Sequence, residues 1–296
     1  MILPAEVARS FPDERSDVAV VLALISSALW GTSDFIGGTV SRRLPSATVL
    51  LWATVLSLPF LAAVAVGSGD LQWSSTTVGW GIAAGIAGAL GIASLYQGLS
   101  TGVMGVVAPI SSTAVIVPVI VGFAIGESVS ALTALGIVIA IVGVVLAGGP
   151  HLRDFATGGH RPILFALGAA LGIGLSLSAI ARGSEASSIS TLLSMRLTYV
   201  VVLVVLVLIA SSQIRPDRAA TLVPLLAIGL LDTTANGLYA VASRVGPLVI
   251  VAVLASLYPV ATLFLARQLH GERLSRIQTS GVLLALVGVC AVVGGR

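Results

Sequence analysis

The chain has no lysine, for all 15 of its Lys+Arg residues are arginine. That absence excludes chemistry built on a lysine amine, such as a Schiff base or the phosphate-binding lysine of a Walker-type loop. Charge of either sign is scarce: 9% of 296 residues, where soluble domains hold about 25%. Cysteine is almost missing too. Cys290 stands alone in the last apolar run, so it forms no intramolecular disulfide or metal cluster and reads as a small buried hydrophobe. His151, His160 and His270 fall in loops without metal-ligand spacing, and neither H-E-x-x-H nor G-x-S-x-G occurs. No pattern asks for a cofactor, and a membrane-embedded enzyme finds little support.

What the chain does have is apolar length. It is 57% hydrophobic with mean hydropathy +1.10, more apolar surface than a water-soluble protein of this size could bury. About 20 apolar residues cross the hydrocarbon core. Runs that qualify cover 18–40, 46–67, 76–98, 102–125, 129–148, 162–182, 188–211, 221–243, 247–269 and 275–294. The expectation is an all-α, multi-pass protein of the cytoplasmic (inner) membrane with ten transmembrane helices. Residues 1–17 read as a solvated arm, 18–149 and 162–296 as two five-helix halves, and 150–161 as the linker between them. The first run is too long for a signal-peptide core and lacks a small-residue cleavage site after it, so it is expected to stay as a helix.

The halves are alike in sequence. Gly126, Glu127, Gly136 and Gly143 fall on Gly271, Glu272, Gly281 and Gly288 at a constant separation of 145. Gly105 and Pro118 match Gly246 and Pro259 at 141, and Gly31 and Thr48 match Gly174 and Thr191 at 143. On this register the first half is four residues shorter just before its Gly-Glu pair. Five is odd, so the second copy is expected to enter the membrane upside down, the common architecture of secondary transporters. With LWGTSDF (29–35), the two Gly-Glu segments and SLYPVATLFLARQLHGERLSRIQTSG (256–281), the sequence resembles the EamA-type members of the drug/metabolite transporter superfamily over nearly its whole length. The resemblance implies ten helices in two inverted repeats, and movement of small metabolites across the membrane.

Loops that alternate sides allow the arginines to be tallied. Arg42, Arg43, Arg153, Arg161, Arg215, Arg218, Arg267, Arg273 and Arg276 face away from the termini; Arg9, Arg15, Arg182, Arg244 and Arg296 share the terminal side. The positive-inside rule then sets both termini outside the cytoplasm.

Polar residues inside apolar runs mark the candidate site. Asp232, Asn236, Tyr239 and Ser243 recur at i, i+4, i+7 and i+11 along the eighth span, as do Ser27, Gly31, Asp34 and Gly38 along the first. Arg196 is the third intramembrane charge, and Tyr96 and Gln97 close the third span. Two readings apply to the charges. Arg196 ties helices together by pairing with Asp232 or Asp34, or it forks to a substrate anion while an aspartate binds and releases a coupling proton. Pro109 and Pro118 interrupt the fourth span and Pro247 and Pro259 the ninth, as simple kinks or as breaks that face a cavity. Gly81, Gly85, Gly88 and Gly91 give the third span a packing face. Glu127 and Glu272 read as helix-start or gating features. The first, third, fourth, sixth, eighth and ninth spans are expected to line the cavity.

The reading is a secondary transporter that moves small polar or amphipathic metabolites, such as amino acids or drug-like compounds, by alternating access. Its partners are a small-molecule substrate, the lipid bilayer and protons, with no nucleic acid; the oligomeric state is not legible. The alternatives are a sugar or polyol uptake permease, and a membrane-embedded binding protein or enzyme that transports nothing.

Overall fold

In hydrocarbon each unpaired backbone N–H or C=O costs several kcal/mol, so long apolar runs close their hydrogen bonds within helices. The computed structural model describes residues 12–41, 43–101, 104–149, 160–209, 221–270 and 275–295, and every regular element among them is helical. In chain order these are α1 (Pro12–Val40), α2 (Ser46–Ser68), α3 (Ser75–Thr101), α4 (Met104–Ser111), α5 (Ile116–Ala124), α6 (Ala131–Ala147), α7 (His160–Ser184), α8 (Ser188–Ile209), α9 (Leu222–Val245), α10 (Leu248–Ala255), α11 (Tyr258–His270) and α12 (Arg276–Gly294). Eight segments are long and apolar enough to cross a membrane, with Leu248–Leu269 taken through its internal turn; Ser112–Ala124 and Ala131–Ala147 are shorter apolar helices. The chain is thus an all-helical polytopic membrane protein. Helix α1 begins at Pro12, inside the stretch expected to be a solvated arm.

Two helices are broken, each ahead of a proline. A 3-10 turn at Ser112–Val115 separates α4 from α5, and a turn at Ser256 and Leu257 separates α10 from α11. Pro118 and Pro259 then occupy the first turn of the helix that follows, where a missing N–H leaves no bond unmade. Pro247 does not interrupt its helix: it is the N-cap residue from which α10 starts.

Contacts across the repeat correct the register expected from sequence. A Cβ on Gly31 would run into the Tyr258 carbonyl and the Ala261 side chain, and one on Gly174 into the Ala114 carbonyl and the Val117 side chain. Tyr258 thus answers to Ala114 and Ala261 to Val117, a separation of 144 rather than 141. At 144 the two helix breaks also superpose, and the four-residue deficit before Glu127 shrinks to a single residue. Matching proline to proline was misleading, because a proline tolerated anywhere in a first turn does not fix the register.

The last helices of the halves pack on each other through their matched glycines. Gly143 meets Ala285, Gly288 meets Ala140, Gly136 meets Val292 and Gly281 meets Ala147, each so close that an added Cβ would collide with backbone. As numbers rise along α6 they fall along α12, so the two run antiparallel. The third-helix glycines also sit at close approaches: Gly81 and Gly85 against α8, Gly88 and Gly91 against α7. Cys290, expected to be buried, is exposed on α12, so it adjoins the apolar surroundings from outside.

Candidate functional site

Helix α9 lies along α1, and the polar stripe on each meets the other. Ser26 donates to the Ala235 carbonyl (2.8 Å) and Ser33 to that of Ile228 (3.2 Å), so α1 is fastened to α9 above and below the charged level. Between these ties the indole N–H of Trp30 donates to Oδ1 of Asp232 at 3.1 Å. Arg196, brought in by α8, donates through one terminal nitrogen to Oδ2 at 2.5 Å. The Asn236 amide, one turn along α9, donates to the Asp232 carbonyl (2.7 Å) and to Oδ1 (3.2 Å). Asp232 is thus held by three side chains from three helices, and its charge is matched by the Arg196 guanidinium. The Arg196 side chain is 4% exposed and Asp232 34%, so the pair presents its carboxylate side to open space. The guanidinium Nε has no hydrogen-bond partner among the described residues. Tyr239 is fully buried beneath, with its ring centroid 5.7 Å from that of Trp30.

Asp34 lies one turn beyond Trp30, between the strip of α1 that faces α9 (Trp30, Ser33) and the position that packs on α11 (Gly31). It therefore points inward. Its carboxylate lies within electrostatic reach of Asp232 and of the Tyr258 hydroxyl, yet the side chain is exposed. An inward-pointing exposed residue lines a cleft. On the same strip Ala23 and Ser27 are buried and Gly38 is exposed, so the cleft opens toward the C-terminal end of α1. The ninth span agrees: all of α10 is buried, whereas Tyr258 to Thr262 in α11 are half-buried.

At the opposite end side chains tie the two halves together. Glu127, from the first half, accepts the N–H groups of Leu248 (2.6 Å) and Val249 (2.8 Å) and so caps α10 of the second half. A carboxylate there meets both free donors and the positive end of the helix dipole. Its own helix α6 is capped instead by Ser130, whose hydroxyl accepts from Thr133 N–H. Gly126, at φ 93°, makes the turn that aims Glu127 across the interface. Asp70 pairs with Arg244 (3.3 Å) and accepts from the Ser187 hydroxyl, while the Gln72 N–H donates to the Ser190 hydroxyl (2.9 Å).

Asp34, Arg196, Asp232, Asn236 and Tyr239 therefore converge. Gln97 is exposed near the end of α3, and the side chains of Tyr96 and Pro109 lie outside the described residues, as do His151 and Glu272. Sequence reasoning missed two participants, and the partner of a third. Trp30 and Tyr258 carried a signal, since each adjoins a residue of the repeat pattern. The cross-repeat capping by Glu127 carried none, because it pairs residues 121 positions apart.

A sequence model of the EamA-like transporter family matches residues 17–149 and again 160–294. The fold is also similar to that of a solved crystal structure of a protein 15% identical in sequence, with TM-score 0.77 over 93% of this chain and 96% of that one. Among curated proteins none matches the sequence.

Proposed function

The chain belongs to the EamA-like transporter family, a membrane transporter family of the drug/metabolite superfamily, and from that premise we propose that it is a secondary transporter working by alternating access. Its two repeats would contribute five spans each in opposite orientations, ten in all, within the cytoplasmic membrane. The antiparallel contact of α6 with α12 supports the inversion, because exchanging the halves maps that contact onto itself. The substrate would be a small polar or amphipathic metabolite, of amino-acid or drug-like size, bound where Trp30, Asp34, Arg196 and Asp232 meet.

The observation that carries this reading is a charged cluster at mid-helix, exposed toward one end of α1, with the two halves tied together by side chains at the other. Asp232 lies ten residues from the start of α9, roughly 15 Å along its axis. Intramembrane charges of this kind are costly and mark substrate or ion pathways. Glu127 and the Asp70–Arg244 pair would be the contacts that break when the protein opens the other way. A coupling proton would exchange at Asp34, the carboxylate without a partner among the described residues.

The test is uptake of a pooled metabolite library into proteoliposomes, wild type against Asp34→Asn and Asp232→Asn. Substrate-specific flux that both substitutions depress is the expected result. Flux that neither changes would remove the cluster from the pathway, and absence of flux for any compound would favour a non-transporting binding protein. A rate indifferent to an imposed proton gradient would rule out proton coupling.

A further inference from the structure

The ionisable groups of the described membrane interior do not all find a partner. Arg196 and Asp232 neutralise each other at 2.5 Å. Asp34 remains, and none of the hydrogen bonds or ion pairs among the described residues involves it; the charge it feels is that of Asp232, of its own sign. Arg182 and Arg244 are at the sealed end with partners of their own. At the open end Arg43, Arg161, Arg267 and Arg276 are all exposed at helix ends or loops, where water and salt screen them over about 8 Å. The cleft wall thus holds one carboxylate with no cationic partner among the described residues. A lone carboxylate that deep is stable when a cation shares the site.

The surroundings say what kind of cation. Trp30 is one helical turn from Asp34 on the same face, and Tyr258, whose backbone packs on Gly31, lies within electrostatic reach of Asp34 from α11. Aromatic faces attract a cation that has shed its water, and favour one with an apolar body over a hydrated metal ion. No group of three His, Cys, Asp or Glu side chains suited to a metal ion is found among the described residues. Independently, the buried Nε of Arg196 lacks an acceptor, which fits a ligand that also carries a carbonyl or hydroxyl oxygen.

We propose that the substrate is an organic cation, an amine or quaternary ammonium on an apolar or aromatic body, whose charged head docks on Asp34 between Trp30 and Tyr258. This rests on the transporter reading above and narrows its substrate class.

The deciding experiment is calorimetric titration of the purified full chain with three compounds of one shape: benzyltrimethylammonium, its neutral carbon isostere neopentylbenzene, and the anion benzylsulfonate. The cation should bind at least about tenfold tighter than the isostere. Asp34→Asn should erase that preference and Asp34→Glu should retain part of it. A cation that binds no tighter than the isostere, or that binds Asp34→Asn as well as wild type, overturns the proposal. The charge series on the wild type reads the same question without any variant. Flux of the same compounds in proteoliposomes separates the two claims. Transport of the anion or isostere without cation preference defeats this inference and leaves the transporter standing. Asp34-dependent cation binding without flux of any compound defeats the transporter and leaves the cation site.

Discussion

Arg196 and Asp232 hold each other in a place where neither could remain charged alone. Removing one partner of a buried pair costs about 3–5 kcal/mol, because the other is left without compensation. Arg196→Leu and Asp232→Leu should each destabilise by that order, and the double variant by clearly less than their sum. Thermal unfolding in detergent checks this; additive losses would mean that the pair does not act as a unit. Trp30→Phe keeps the ring and deletes the indole N–H that Asp232 accepts. Hydrogen bonds to charged groups are worth about 1.5–3 kcal/mol, so a loss of that order is expected, together with weakened transport. The stripes holding Asp34, Asp232 and Asn236 were legible in sequence from helical spacing. Which carboxylate takes the arginine was not, since both lay within its plausible reach until the path of α8 was known.

At the scale of elements, two devices join the halves. Gly143 lets α6 rest on α12 with backbones in contact, and Gly143→Leu should part them and cost about 1–3 kcal/mol as overpacking does, read as a lowered unfolding temperature. The other device is Glu127. Its side chain caps a helix of the opposite half, so Glu127→Ala should weaken the sealed end by about 1–2 kcal/mol, the usual scale of a lost cap. The readout is thiol labelling of Val249→Cys in a Cys290→Ser background, where Cys290 is the native thiol to be removed. Labelling should quicken several-fold with Glu127→Ala, and an unchanged rate would mean that the cap does not hold that end closed. Glycine and glutamate were visible as a repeated pattern. Their partners were not, because each contact spans the two halves and sequence spacing carries no information about that distance.

At the scale of the whole molecule, the polar face of α1 is exposed toward its C-terminal end and buried toward its N-terminal end. A thiol-directed, membrane-impermeant cation should react with Gly38→Cys and spare Ser27→Cys in the Cys290→Ser background when no substrate is present. Equal reactivity would mean that the sealed end is permeable. If the loops alternate sides as read from the sequence, nine arginines fall on the side of the open end against five on the other, and the positive-inside rule predicts that this end faces the cytoplasm. Reaction from the cytoplasmic side of oriented membranes is then expected, and reaction from the other side would invert the topology without altering the fold.

Sequence by itself determined the solvent and the class. A chain this apolar with 9% charge has nowhere stable but a bilayer, and continuous apolar runs of about 20 residues cross it as helices, not as the short alternating strands of a barrel. It also determined the duplication, because glycines that permit backbone contact leave a pattern at fixed separations. Tertiary structure alone decided the rest: the register of the halves at their broken helices, the pairing of Asp232 with Arg196, the lack of a partner for Asp34 among the described residues, and the end at which Glu127 ties the halves together. These depend on side chains from helices far apart in the chain arriving at one level. Helical periodicity constrains where a residue points on its own axis, but not which neighbour stands opposite.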